Sequence, residues 1–82
     1  MGRNRFRGPF TAKNFRDLVL AAGCEEVAGG KHMAYRHPTN GKKITISQSW
    51  TGVKCGDPVF KSFVDFFGIS KDELLDMLDE VR

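Results

Sequence analysis

Two apolar stripes of helical period enclose a stretch of two-residue period, and this change of rhythm constrains the fold more than any other feature. Phe15, Leu18, Val19 and Ala22 recur at i, i+3, i+4 and i+7, and Phe60, Phe63, Val64 and Phe67 repeat the same spacing. Between them, Met33 and Tyr35 alternate with His32, Ala34 and Arg36, and Ile44 and Ile46 alternate with Lys43, Thr45 and Ser47. The spacing predicts helices over 12–22 and from Pro58 to the residue before Gly68, with strands over 24–28, 32–37 and 42–48. Thr11 supplies the first helix's N-cap, and Gly23 its exit. Asp57-Pro58 opens the second helix as an N-cap followed by proline at the first helical position. Ser70 with Glu73 forms a capping box for a third helix with the stripe Leu74, Met77, Leu78 and Val81. Pro38-Thr39-Asn40-Gly41 marks a tight turn between the last two strands.

The predicted order is α-β-β-β-α with a short C-terminal helix. Two helices covering one face of a three-stranded antiparallel sheet give an α+β fold of the double-stranded-RNA-binding-domain kind. Eighty-two residues allow one domain, here 11–82, preceded by a basic arm over 1–10 in which Arg3, Arg5 and Arg7 alternate with other residues. Phe6 and Phe10 are the residues that would tack this arm to the domain. On this reading the aromatic residues are core, and Trp50 packs over the edge of that core rather than stacking on a base.

Composition matters chiefly through charge. Residues 1–45 carry nine Lys/Arg against three acids, a net +6, whereas 46–82 carry four against seven, a net −3. A basic half suits a polyanionic partner. The acids Asp72, Asp76, Asp79 and Glu80 read as the solvated face of the third helix and would send nucleic acid elsewhere. Cys24 and Cys55 form no C-x-x-C pair, and with two histidines at these spacings they match no usual zinc pattern. They read as reduced thiols of a cytoplasmic protein. No apolar run reaches the roughly twenty residues of a membrane span, and no signal-peptide core follows the basic start.

Chemistry concentrates at 29–38. Gly29 and Gly30 permit a tight turn and close backbone approach, and Lys31 and His32 follow at once. With the apolar strand faces turned to the helices, His32, Arg36 and Lys43 share the opposite face, while His37 falls on the Met33/Tyr35 side. Lys13 and Arg16 lie off the first helix's apolar stripe and are open to a phosphate backbone. These residues describe an RNA-phosphate site in which His32 is the titratable group and no metal or other cofactor is needed.

Three stretches together resemble the HicA toxin family, the small RNA-cleaving members of HicA/HicB toxin–antitoxin pairs. They are Gly30-Lys31-His32 running into Tyr35-Arg36-His37-Pro38, then Gly41-Lys42-Lys43-Ile44-Thr45-Ile46, then Phe60-Lys61-Ser62-Phe63 through Gly68-Ile69-Ser70. The resemblance spans about 11–80. It implies a metal-independent endoribonuclease (an mRNA interferase) with His32 as the catalytic histidine, and a protein antitoxin covering the His32 face. Gly29, Gly30, Lys31, Arg36, Lys43, Lys13 and Arg16 are the accompanying candidates for RNA contact. Lys31 stands where the family commonly has serine, and Gln48-Ser49-Trp50 replaces its usual exit from the third strand. Two other readings remain open on the residues alone: a catalytically inactive domain of this fold that binds RNA or a host protein, and a pure interaction protein.

Overall fold

A computed structural model of the chain describes residues 8–27 and 32–81. Six elements follow in order: α1 (Ala12–Ala21), β1 (Glu25–Val27), β2 (Met33–Arg36), β3 (Lys43–Ile46), α2 (Pro58–Phe67) and α3 (Lys71–Val81). The strands form one open antiparallel sheet in the order β1-β2-β3. This is the α+β arrangement that the alternating periods predict, with β2 and β3 each shorter than the predicted strand.

The helix boundaries obey local chemistry. The Thr11 side chain accepts from the Asn14 amide while the Asn14 side chain accepts from the Thr11 amide, so asparagine completes a reciprocal cap. At α3 the Ser70 hydroxyl and the Glu73 carboxylate exchange the same pair of bonds, at 3.1 and 2.9 Å. Asp57 differs from expectation. Its carboxylate accepts from the upstream Lys54 amide at 2.8 Å and gives α2 no side-chain cap. Pro58 has no amide hydrogen to satisfy at that position, which lessens the need for one. Gly68 ends α2 at φ 67°, a left-handed conformation that a side chain would oppose.

Register fixes the two faces of the sheet. Met33 pairs with Ile46 and Tyr35 with Ile44, and this face meets the helices. α1 and α2 both pack on β3, and α3 packs on α1 and α2. The core is dominated by aromatic rings: Phe15 stacks on Phe63 with centroids 4.4 Å apart, and Trp50 stands edge-on to both. Trp50 is therefore a half-buried wall of the core, as its sequence setting predicts.

Of the basic arm, residues 1–7, with Arg3, Arg5, Arg7 and Phe6, lie outside the described residues. Phe10 is wholly buried. It makes a two-way backbone bridge with Val53, Phe10 N–H to Val53 C=O at 2.7 Å and Val53 N–H to Phe10 C=O at 2.9 Å. Phe10 thus belongs to the packed core, and the same bridge pins the long connection between β3 and α2.

Candidate nucleic-acid interface

His32 lies immediately before β2, where the chain enters the sheet. Its side chain is exposed and has no partner among the described residues. Met33 packs against the core, and His32, at a bend just outside the strand, is open to solvent. Gly29, Gly30 and Lys31, predicted to form the phosphate-binding turn before it, lie outside the described residues.

Between α1 and this end of the sheet lies a cavity of about 380 Å³. Lys13 and Arg16 from α1, Met33 and Tyr35 from β2, Glu26 from β1 and Gln48 beyond β3 border it. The volume falls at the lower end of the roughly 300–1,000 Å³ typical of ligand sites. Lys13 is held by Asp17 one turn along the helix, Nζ to Oδ2 at 2.8 Å. Arg16 has no such tie among the described residues and is the freer cation. Tyr35 forms the floor, wholly buried, and its hydroxyl has no hydrogen-bond partner among the described residues. A buried hydroxyl left in this state ordinarily costs about 1–3 kcal/mol. Sequence reasoning treated Tyr35 as core alone; nothing in strand alternation reports whether a phenolic oxygen finds a partner.

Arg36 and Lys43 occupy the outward face, as alternation predicts, but not beside His32. They are cross-strand partners at the other end of β2, about 13 Å from His32 at the usual rise of about 3.3 Å per residue. Glu25 completes their row, and its Oε1 lies 3.2 Å from Arg36 Nη1. An acid therefore offsets the guanidinium there, leaving Lys43 as the outstanding cation of the row. The structure does not bring the predicted set together: His32 stands exposed before β2, Lys13 and Arg16 border a cavity that His32 does not line, and Arg36 and Lys43 lie at the other end of β2.

His37 belongs with none of these. Its ring is half-buried, edge-on to Phe66 and Phe67, and Nδ1 accepts from the Thr39 and Asn40 amides. It organises the β2–β3 turn. Among the described residues no group of three or more His, Cys, Asp or Glu side chains could hold a metal ion, and no helix is long and apolar enough to cross a membrane. Burial raises the Cys24 thiol above its ordinary pKa, the direction opposite to that of a reactive thiolate.

No family model, curated protein or solved structure matches this chain.

Proposed function

We propose that the protein is a HicA-like ribonuclease toxin of double-stranded-RNA-binding-domain architecture, with His32 as its acid–base residue. The observation that carries this reading is an exposed histidine, without a partner among the described residues, at the entry to β2, with Arg16 and Lys13 of α1 bordering a cavity beside the next residue, Met33. A histidine ionises near neutral pH and a guanidinium binds phosphate oxygens in a bidentate manner, the two requirements of metal-free RNA cleavage.

The chemistry is self-contained in the substrate. His32 takes the proton of a ribose 2′-OH, the oxygen attacks the adjacent phosphorus, and the bond to the 5′-oxygen breaks. That oxygen takes up a proton as it leaves, and the products are a 2′,3′-cyclic phosphate and a free 5′-hydroxyl. Arg16 and Lys13 hold backbone phosphates away from the reacting one, and Lys31, next to His32 in sequence, is the cation to offset the charge of the pentacoordinate phosphorus. With one histidine acting as the only acid–base group, catalysis is slow. The partners of this reading are RNA and an antitoxin that covers the His32 face.

His32→Ala should abolish growth arrest in cells expressing the protein. It should also lower cleavage of total RNA by purified protein about 10²–10⁴-fold, the usual contribution of one acid–base group. Full toxicity of that variant would overturn the assignment. Salt-sensitive RNA binding by the unaltered protein, with no cleavage product, would favour the inactive RNA-binding alternative.

A further inference from the structure

β3 is an edge strand, and its open side faces a groove. The His37 amide donates to the Lys42 carbonyl at 2.7 Å, which fixes this pair as hydrogen-bonded in the antiparallel ladder. Backbone groups alternate sides along a strand, so Lys42, Ile44 and Ile46 turn theirs to β2, while Lys43 and Thr45 turn theirs outward. Among the described residues nothing bonds the outward N–H and C=O of Lys43 and Thr45; one position on, the Ser47 carbonyl is taken by the Trp50 amide at 3.2 Å. Two donors and two acceptors in strand geometry are thus presented together.

Beside this edge, β3, Trp50 and α2 border a groove of about 600 Å³. Its floor is apolar, made by Ile44, Trp50, Val59, Phe63 and Phe66. The rim is charged. Lys42 Nζ is bonded to the Asp65 backbone carbonyl at 3.3 Å, whereas Lys43 is exposed with no partner among the described residues. Asp65 lies on the α2 wall.

We propose that this edge and groove form a docking site for an extended peptide segment of a partner protein, bound as a fourth strand beside β3. Strand addition uses the four free backbone groups for affinity and alternate side-chain pockets for specificity. The added strand's inward side chains would enter the apolar groove, and its outward ones would lie beside Lys43 and Thr45 on the open face. The fitting sequence therefore alternates apolar residues with acids, the acids beside Lys43. Asp65 disfavours acidic side chains in the groove and so reinforces that phase. A second copy of this chain fits poorly, because edge-to-edge pairing would bring two Lys42 and two Lys43 along one seam. RNA has no repeating ladder of paired donors and acceptors to match the strand. The site is independent of the His32 reading: of its residues only Lys43 is also a candidate for RNA contact, and it pairs with Arg36 at the end of β2 away from His32.

The test is an NMR titration of the full chain with a synthetic octapeptide alternating valine and glutamate, beside a peptide of the same composition with its glutamates and valines in separate blocks. The alternating peptide should shift the Lys43 and Thr45 amides and the Trp50 indole, and slow hydrogen exchange at Lys43 and Thr45 at least about tenfold. Lys43→Glu should weaken it about fivefold, and a valine–lysine peptide should bind that variant better than it binds the wild type. Thr45→Pro, tolerable at an edge because only an outward N–H is lost, should remove most of the binding. His32→Ala should leave it unchanged. The proposal is overturned by absence of binding, by equal binding of the block peptide, or by undiminished binding to Thr45→Pro. It is also overturned if Lys43 and Thr45 are already protected in a concentration-dependent way without peptide, or if an oligouridine moves them instead.

Discussion

The ring of His37 stands with its centroid 5.5 Å from that of Phe66 and 5.7 Å from that of Phe67, while Nδ1 accepts from the Thr39 and Asn40 amides at 3.2 and 3.3 Å. An acceptor Nδ1 carries no proton, so the ring hydrogen is on Nε2 in this arrangement. Removing the ring exposes two phenyl edges and strands two amides. His37→Ala should therefore cost about 1–3 kcal/mol of stability in urea unfolding, whereas His32→Ala, with nothing packed on it among the described residues, should stay within about 0.5 kcal/mol. Equal losses would show that the two histidines are not divided between turn and surface. Alternation along the strand was enough to separate them, because a two-residue period sends positions of opposite parity to opposite faces. It could not show that Arg36 is matched by Glu25, since that pairing depends on the register of β1, whose sequence shows no clean apolar phase.

At the scale of elements, the β2–β3 turn does more than reverse the chain. Asn40 Nδ2 donates to the Phe66 carbonyl at 3.1 Å, Lys42 Nζ donates to the Asp65 carbonyl at 3.3 Å, and the Asn40 side-chain oxygen accepts from the Lys42 amide at 2.8 Å. The last carbonyls of a helix have no partner within it, and its C-terminal end attracts cations. α2 has no basic residue in its own last turn, and the turn supplies both donor and charge. Asn40→Ala should cost about 1–2 kcal/mol, because it removes the donor to α2 and the acceptor that shapes the turn. Lys42→Ala, an exposed contact, should cost no more than about 1 kcal/mol. Thermal melts of both variants check the ordering, and a larger loss for Lys42→Ala would contradict it. The sequence marked 38–41 as a turn from its Pro, Asn and Gly. The docking of Asn40 onto a helix 26 residues away is a tertiary contact with no local signal. The Phe10–Val53 bridge was hidden for the same reason: an isolated pair of residues has no period.

For the molecule as a whole, the hydrophobic core joins all three helices with β2 and β3, and the buried thiol of Cys24 at its edge reports on that coupling. Cys24 is 7% exposed, at the junction of α1 with β1, and burial raises its pKa above the ordinary 9.0 because the thiolate loses hydration. The folded state therefore favours the protonated thiol. That contribution is fully present below the unfolded pKa and is lost as pH rises through the folded one. As pH rises above about 8 the wild type should lose more stability than Cys24→Ala, and below that the difference between them should not vary with pH. Because α1 packs on α3, and α3 on α2, exposing Cys24 means separating the helix layer from the sheet. Labelling of Cys24 by a thiol reagent should then follow the same denaturant dependence as the fluorescence of Trp50, the single tryptophan. Cys55, half-buried in the connection before α2, should react earlier. Labelling of Cys24 well ahead of the Trp50 transition would mean that α1 and β1 part from the rest before it unfolds, so that the domain is not one cooperative unit.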